Sequence, residues 1–405
     1  MIDILREIYD VAVVGAGPAG SMAAKYASSL GARTLLLEEH KSLGWPVQCA
    51  GLLGKRAIQE SELSPQSFTI WKVRGAKIYA PEGRALSFTA DSDKAWVVDR
   101  RLFDRSLALE AVKCGADLRL SSQVRGAVIG EEGCVLTIGG ESERWKAMAK
   151  VVISAEGVKA RIAREAGIGQ PKKTLSCAQI ESSFRVDDPD NVELYLGNNL
   201  SPGLFGWVIP TGEDVARIGL CTELDAFSSL SRLLEKDVIR ERVVGTPFDL
   251  VVGGLPLGPP ERTVANGIVA VGDCAGQVKP TSGGGIYPGL LCAKIAGRVA
   301  ASAALEGDSS LERLAEYETL WRRSIGRELE LGMWINKILN SLTDRQLDDI
   351  LSYIERKPRL IRTIEEHGDI DRPSLLFRRM ILHIDLEGIA IARMIRKAYR
   401  ESDVF

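Results

Sequence analysis

The 405-residue chain contains few of the side chains that build metal sites or disulfide frameworks. Its three histidines are scattered, and its seven cysteines are odd in number and include no Cys-x-x-Cys pair. This pattern argues against a zinc ribbon, an Fe–S cluster and a disulfide scaffold. It also leaves no histidine cluster for a Ser-His arrangement. We therefore expect no metal site and seven reduced thiols, as in a cytoplasmic protein.

An excess of one charge and a long apolar run are also missing. Lys and Arg total 52 against 54 Asp and Glu, so the chain lacks the basic field that nucleic-acid binding requires. No uninterrupted apolar run approaches the ~18 residues of a membrane-spanning helix. The first residues carry acidic side chains and are unlike a secretory leader. We expect a cytoplasmic protein with no nucleic-acid partner and no helix that crosses a bilayer.

The hydrophobic pattern changes three times along the chain. As far as about residue 169, short β-branched runs alternate with helical stretches, which predicts a parallel βαβ sheet. Residues 73–97 interrupt this pattern with a predicted hairpin from a second layer. Residues 176–253 contain successive strand patterns separated by turns, which predicts an antiparallel sheet. Helical periodicity follows from about residue 293.

The first candidate site is a glycine turn after an apolar strand. Gly15 permits the turn, Gly17 lets a pyrophosphate approach the backbone, and Gly20 lets the following helix pack closely. The next strand ends in Glu38, about 20 residues on, where an acidic side chain accepts from ribose hydroxyls. Glu39 is the alternative for that role. The pattern predicts dinucleotide binding without separating NAD from FAD.

A second nucleotide signal favours FAD. A buried-strand pattern ends in Gly272-Asp273, and a glycine-rich segment before a predicted helix follows. The aspartate can accept from polyol hydroxyls, and the glycine N–H groups can face a flavin ring or a phosphate. Between the two signals, Arg100 either contacts the cofactor or is a plain surface arginine; the residues leave both open.

Together these segments resemble the p-hydroxybenzoate-hydroxylase-like FAD superfamily. The resemblance rests on the two glycine motifs, Glu38, residues 100–104 (Arg-x-x-Phe-Asp) and the strand end Ala155-Glu156-Gly157. Within it, the loop at residues 46–51 and the strand at residues 206–210 are similar to the geranylgeranyl reductase family. Two motifs depart from the family's pattern: in one, Glu156 replaces an aspartate, and in the other, Phe205 and Ile209 replace a tyrosine and a phenylalanine.

The resemblance implies an α/β fold with three parts. These are a discontinuous Rossmann-type FAD domain (residues 1–70, 96–172 and 262–310), an antiparallel-sheet substrate domain (71–95 and 173–261) and a C-terminal helical region (311–405). It implies FAD bound by Gly15, Gly17, Ala19, Gly20, Glu38, Glu39, Cys49, Ala50, Arg100, Val124, Glu156, Gly157, Asp273, Gly283, Gly284, Gly285 and Ile286. It implies a prenyl slot lined by Phe205, Trp207, Ile209 and Pro210. Phe205 and Trp207 alternate along the predicted strand and so share one face, which either lines this slot or packs in the core of the sheet.

The implied reaction is reduction of isolated C=C bonds in polyprenyl chains of isoprenoid lipids, archaeal membrane lipids among them. Reduced flavin carries the difficult step, so no metal or triad is required. Cys49 is the candidate catalytic residue, as a proton donor, a substrate gate or a modulator of the flavin. The alternative is a small buried hydrophobe. The electron donor stays open among NAD(P)H, ferredoxin and a reduced deazaflavin.

Two other functions and one further contact remain. A flavin-dependent monooxygenase or halogenase shares the fold, and a prenyl-binding carrier resembling the Rab GDP-dissociation inhibitors would use it without redox chemistry. Residues 375–400 combine an apolar helical stripe with a basic excess, typical of peripheral contact with an anionic membrane or of a helix packed on its own protein. The stripe consists of Leu376, Met380, Ile384, Ile391 and Ile395.

Overall fold

A computed structural model describes residues 5–139, 144–380, 383 and 385–402. The strands are β1 (Leu5–Val14), β2 (Thr34–Leu37), β3 (Leu52–Gly54), β4 (Thr69–Val73), β5 (Gly75–Tyr79), β6 (Ala85–Thr89), β7 (Ala95–Val98), β8 (Asp117–Arg119), β9 (Gln123–Gly130), β10 (Gly133–Gly139), β11 (Arg144–Ser154), β12 (Lys173–Phe184), β13 (Asn191–Tyr195), β14 (Gly206–Pro210), β15 (Val215–Thr222), β16 (Val243–Leu257), β17 (Val264–Ala265) and β18 (Ile268–Ala270). The helices are α1 (Pro18–Ser29), α2 (Lys55–Ser61), α3 (Arg100–Lys113), α4 (Arg161–Glu165), α5 (Ala226–Leu234), α6 (Asp237–Arg240), α7 (Ile286–Glu306), α8 (Leu311–Trp321), α9 (Arg327–Ser341), α10 (Asp344–Glu355), α11 (Pro358–His367), α12 (Pro373–Met380) and α13 (Leu386–Ser402).

The first sheet has the parallel centre that the βαβ pattern predicts. Its strand order is β17-β18-β11-β1-β2-β8, with β10 and β9 added antiparallel beside β11. The central strands β18, β11, β1 and β2 run parallel. Their side chains are apolar on both faces because helices α1, α3 and α7 cover one face, and α4 with β9 and β10 covers the other.

The second sheet is largely antiparallel, in the order β16-β12-β15-β14-β13-β5-β6. The predicted hairpin is present as β5 and β6, and it joins this sheet through parallel pairing of β5 with β13. The 15-residue edge strand β16 was not predicted, because its glycines and prolines interrupt the strand pattern. A small third sheet, β3-β7-β4, lies between the two parts of the chain. The predicted fold class is confirmed, whereas the exact domain boundaries remain predictions.

Two of the expected reduced thiols are joined instead. Cys177 on β12 and Cys221 on β15 are direct partners in the antiparallel register and form a disulfide. The expectation of seven free thiols is wrong for this pair, because sheet register brings together residues that are 44 positions apart in the sequence. The free cysteines are Cys49, Cys114, Cys134, Cys274 and Cys292.

Helix α7 bears on the expectation that no helix crosses a bilayer. Among the described residues it is the one helix long and apolar enough to cross a bilayer, by length and composition. However, 67% of that stretch is buried inside the protein, against α1 and the first sheet. Its apolar composition therefore follows from its place in the core, and by length and composition alone such a helix is weak evidence for a membrane span.

Helices α8 to α13 form the C-terminal helical region. The predicted single stripe is divided between two helices, with Leu376 and Met380 on α12 and Ile391 and Ile395 on α13. Ile395 packs against a cluster formed by Leu342, Leu347 and Ala398. Ile384 lies outside the described residues. Since the stripe faces the protein at Ile395, the basic side chains of α13 form its outer surface.

Candidate active site

The candidate site lies at the carboxyl ends of the parallel strands in the first sheet. Gly15 follows β1, Glu38 follows β2, Glu156 follows β11, and Asp273 follows β18. Because these four strands are neighbours and parallel, their ends share one edge. Residues predicted separately from two distant motifs are therefore brought together.

The glycine turn leaves no room for side chains at two of its three glycines. Gly15 adopts a φ of +101°, and a Cβ there would lie 2.4 Å from the carbonyl oxygen of Ala155. A Cβ on Gly20 would lie 1.7 Å from the carbonyl oxygen of Gly15. At Gly17, by contrast, a Cβ would have no neighbour within 4 Å. The N-terminus of α1, which has no side-chain cap, thus opens onto free space, as an anion site requires.

Glu38 is held against the same turn. Its Oε2 accepts from the N–H of Ala16 at 2.9 Å, and its Oε1 accepts from the N–H of His40 at 3.0 Å. This places a carboxylate directly beside the glycine turn. Glu39 points elsewhere and accepts from Lys159 and Gln123; although burial opposes it, the Lys159 hydrogen bond lowers the pKa of Glu39. Glu38 is therefore better placed for a ribose than Glu39.

The strand end at residues 155–157 is structured by Glu156 itself. The Glu156 carboxylate accepts from the Ser154 hydroxyl at 2.8 Å and from the N–H of Ile162 at the start of α4. Gly157 follows with a φ of +61°. Val124 contributes its carbonyl, which accepts from the Arg161 guanidinium. The longer glutamate side chain is thus used to cap α4, and the basic residue at position 161 is tied to Val124.

The second glycine segment contacts the first turn and the aspartate. A Cβ at Gly272 would meet Ala19 at 3.0 Å, and a Cβ at Gly285 would meet Oδ1 of Asp273 at 2.8 Å. Burial raises the pKa of Asp273, and the Arg100 charge acts in the opposite direction. Gly283 adopts a φ of +71°, and Gly284 packs on the Lys279 side chain. Ile286 begins α7 directly after these glycines.

Arg100 is not a surface arginine. Its Nε and Nη2 donate to the two carboxylate oxygens of Asp104, both at 2.9 Å, and the pair is almost fully buried. Burial works against the charged guanidinium, but Asp104 and the neighbouring Cys49 raise the pKa of Arg100. Arg100 therefore remains a cation between Cys49 and Asp273. Phe103, on the same helix, is fully buried.

The Cys49 loop faces this cation. The Cys49 thiol accepts from the N–H of Gly51 at 3.3 Å and is partly exposed. Ala50 packs on the apolar cluster of the second sheet. The loop thus lies beside the Arg100 guanidinium and against an apolar wall, the cluster that contains Trp207 and Ile209.

The strand β14 shows the predicted alternation. Trp207 and Ile209 are buried in an apolar cluster that the second sheet shares with the third, together with Val97 and Leu257, and Phe205 packs against it. Val208 points to the opposite face, into the cluster beneath α5. Pro210 ends β14 and, by alternation, falls on the same face as Val208, so its predicted place in the prenyl slot has no support from the strand geometry.

These residues fit a bound FAD. The uncapped helix terminus beside Gly17 suits a pyrophosphate, and Glu38 and Asp273 suit ribose and ribityl hydroxyls. The hydroxyl of Ser282, immediately before the three glycines, is buried without a hydrogen-bond partner. An orphaned buried polar atom in this segment is consistent with a partner supplied by a ligand. Among the described residues, no group of His, Cys, Asp or Glu side chains could hold a metal ion.

Two polar residues of the site were not predicted. Arg217 on β15 donates to the carbonyl of Ala50, and Gln179 on β12 accepts from the Trp207 indole N–H. Both lie in strands that the sequence pattern found, but no motif marks them. The available signal was a charged and an amide side chain on the inward face of otherwise apolar strands.

Comparisons with known proteins agree with this site. A sequence model of FAD dependent oxidoreductases matches residues 10–168. The chain is 36% identical over 354 residues to the digeranylgeranylglycerophospholipid reductase of Methanocaldococcus jannaschii, covering 85% of this chain and 90% of that protein. It is 37% identical over 362 residues to digeranylgeranylglycerophospholipid reductase 2 of Methanothermobacter thermautotrophicus, covering 86% and 92%.

Solved structures share the whole architecture. A geranylgeranyl bacteriochlorophyll reductase-like protein from Thermoplasma acidophilum superposes with a TM-score of 0.83 at 27% identity, covering 97% of this chain and 99% of that one. The flavin-dependent brominase Bmp2 gives a TM-score of 0.69 at 17% identity, covering 98% and 99%. The second likeness shows a common fold only.

Proposed function

Because the chain belongs to the family of digeranylgeranylglycerophospholipid reductases, we propose that it saturates the geranylgeranyl chains of a prenylated phospholipid. It is an FAD-dependent oxidoreductase that acts on CH–CH groups. The relatives' names do not favour the monooxygenase, halogenase or carrier alternatives. The observation that carries the proposal is the position of Arg100 near both Cys49 and Asp273, with the Cys49 loop packed on the apolar wall that contains Trp207 and Ile209.

When bound, FAD in its reduced form supplies a hydride to one alkene carbon. The chain's own residues do the rest. Trp207 and Ile209 lie on the apolar wall where a prenyl chain would pack, and this wall excludes water. The Cys49 thiol is the proposed proton donor to the second alkene carbon. Asp104 fixes Arg100 beside that thiol, so that the cation does not move when the substrate enters.

The test is an anaerobic turnover with the purified holoenzyme. Protein reduced with dithionite is mixed with digeranylgeranylglycerophospholipid, and the lipid is followed by mass spectrometry. The expected product gains two hydrogens for each double bond reduced, without consumption of oxygen. An FAD-loaded and fully reduced protein that leaves the lipid unchanged would overturn the proposal. A lipid that gains oxygen or halide in air would support the alternatives.

The electron donor is tested in the same assay. NADH, NADPH, reduced ferredoxin and a reduced deazaflavin each replace dithionite in turn, and the rate of flavin bleaching is measured. All three donor classes remain open, since the described residues include one dinucleotide motif, and that motif is assigned to FAD.

The proposed location is cytoplasmic, with peripheral contact at the inner face of the membrane. Arg393, Arg396, Lys397 and Arg400 surround an open recess of about 400 Å³ on α13. Leu375 and Phe377 of the neighbouring α12 are about 40% exposed. A basic surface beside exposed apolar side chains is suited to anionic lipid.

Flotation with liposomes tests this contact. We expect the protein to float with vesicles that contain anionic phospholipid, and less at high salt because the attraction is screened. Replacing Arg393, Arg396 and Arg400 by Gln is expected to abolish flotation while FAD content is retained. Equal flotation of this variant and the unchanged protein would contradict the role of α13.

A further inference from the structure

One buried guanidinium of the second sheet donates hydrogen bonds to main-chain carbonyls near the candidate FAD site. Arg217 on β15 is 8% exposed. Its Nη1 donates to the carbonyl oxygen of Ala50 at 2.9 Å and to that of Val98 at 3.3 Å. Its Nε donates to Glu181 at 3.1 Å. The arginine thus connects the residue after Cys49 with the end of β7, two residues before Arg100.

The shape of the loop is adapted to this guanidinium. A Cβ at Gly51 would lie 2.3 Å from Nη1 of Arg217 and 2.9 Å from the carbonyl oxygen of Val98. Gly51 also adopts a φ of +75°, which a side chain disfavours. The loop can reach its position beside Arg100 only because residue 51 leaves space for Arg217.

A second link runs parallel to the first. The Trp207 indole N–H donates to Oε1 of Gln179 at 3.0 Å, and Nε2 of Gln179 donates to the carbonyl oxygen of Cys49 at 3.5 Å. Gln179 pairs with Gly219 and Glu181 pairs with Arg217, so both links project from one face of adjacent strands. Two consecutive carbonyls of the Cys49 loop, those of Cys49 and Ala50, therefore accept hydrogen bonds from side chains of the second sheet.

A purely structural ion pair does not explain this arrangement. The Glu181 carboxylate is 31% exposed and could pair with an arginine that reaches solvent. Burial of a guanidinium is costly unless its donors are paired, and here Nη1 is paired with the carbonyls of Ala50 and Val98. The Arg217 guanidinium thus links the main chain at residue 50 to the main chain at residue 98, and we call this link the clamp.

Resting on the proposed function, we propose that Arg217 is a positioning residue, which with Gln179 fixes the Cys49 loop between the flavin site and the prenyl wall. Arg217 touches no reacting atom in this role. It acts through the placement of Cys49, and a displacement of ~1 Å of such a group lowers turnover by about 100-fold.

The test compares Arg217→Met and Arg217→Lys with Arg232→Met. Methionine keeps the length of the side chain but has no hydrogen-bond donors. Lysine keeps the positive charge but not the forked arrangement of donors in the guanidinium. Arg232 is the matched control, because it also donates to a main-chain carbonyl, that of Asn199, but on α5. At matched FAD loading, Arg217→Met is expected to lower kcat by about 10- to 100-fold with a smaller change in KM. The kcat of Arg217→Lys should lie between those of Arg217→Met and the unchanged protein. The kcat of Arg232→Met should equal that of the unchanged protein.

The alkylation rate of Cys49 by iodoacetamide gives a readout that does not need turnover. It is measured by peptide mass spectrometry at pH 8, with and without FAD. Burial raises the pKa of Cys134 to about 11 and that of Cys274 to about 12, so these thiols react slowly and serve as internal references. Because the loop is loosened in Arg217→Met, Cys49 is expected to react at least about fivefold faster in that variant than in the unchanged protein. In Arg232→Met, the alkylation rate of Cys49 is expected to be unchanged.

Equal Cys49 alkylation and equal kcat in Arg217→Met and the unchanged protein would overturn the proposal. If Arg217→Met does not fold, Gln179→Leu takes its place, and unaltered alkylation in that variant counts against the clamp. If the unchanged protein lacks reductase activity, the proposed function fails, while the alkylation comparison still decides whether the clamp positions the loop.

Discussion

Main-chain atoms form one half of the site, and side chains form the other. At the strand ends of the first sheet, the turns that face the nucleotide are main chain, and Gly15 and Gly20 have no space for a Cβ. On the second sheet, the wall consists of side chains such as Trp207 and Ile209, held by a few polar links. At Gly15 and Gly20 this main-chain cradle tolerates no added atom, whereas a side-chain wall can adjust.

This difference separates binding from turnover. Substitutions at the cradle should remove FAD and with it every activity. Substitutions at the wall should leave FAD bound and change how the substrate and Cys49 are placed. The expected effects therefore decrease from the cradle, through the loop that joins the halves, to the wall.

Gly20→Ala is expected to have the largest effect. The added methyl would lie 1.7 Å from the carbonyl oxygen of Gly15, so the turn must open. Overpacking of this kind costs at least about 1–3 kcal/mol, and we expect FAD affinity to fall by more than about 100-fold. The measurement is FAD absorbance per chain after purification. Gly212→Ala is the control, because its methyl would have no neighbour within 4 Å; a yellow Gly20→Ala protein would remove the distinction between the halves.

Cys49→Ala is expected to separate the two halves at the loop that joins them. FAD content should be retained, because the cradle is untouched. Turnover should fall by about 100-fold if the thiol donates the proton, in the usual range for general acid catalysis. Single-turnover oxidation of reduced flavin by the lipid measures the step directly. Equal rates in the variant and the unchanged protein at matched FAD loading would exclude Cys49 from the mechanism.

The same difference explains what the sequence revealed. Gly15, Gly20 and Glu38 were predicted because a main-chain turn needs glycine at fixed spacing, and spacing is visible in one sequence. Arg217 and Gln179 were missed because their roles depend on the register of β12 with β15, which no local pattern encodes. The Cys177–Cys221 pair was missed for the same reason.

Pro210 and Arg100 show a second limit to what a single sequence predicts. Alternation placed Phe205 and Trp207 on one face, but the motif carried Pro210 into the predicted slot although its position along the strand has the opposite parity. The residues alone left Arg100 undecided between cofactor and surface, because only the fold buries its pair with Asp104 and brings Cys49 and Asp273 near its charge. Strand and helix patterns were readable, and contacts between them were not.

Trp207→Phe is expected to have a smaller effect, on the wall alone. Phenylalanine keeps an aromatic ring but removes the N–H that Gln179 accepts at 3.0 Å, and leaving that amide unpaired costs about 1–3 kcal/mol. FAD content should not change, and kcat/KM should fall by about tenfold. Ile209→Val is the control for a small loss of wall volume without a lost hydrogen bond. Loss of FAD from Trp207→Phe would contradict the independence of the two halves.

The Cys177–Cys221 disulfide should have the smallest effect on turnover, since it braces the wall from within the sheet. Because the two strands are already paired by β-sheet hydrogen bonds, replacing both cysteines by Ser is expected to lower thermal stability, by up to about 2–4 kcal/mol, while FAD content and kcat change little. Alkylation before and after reduction should label these two positions only after reduction, whereas Cys49 and Cys114 are labelled in both states. Labelling of Cys177 without reduction would show two thiols in place of the bridge, and a large loss of kcat in the double variant would make the wall as intolerant of change as the cradle.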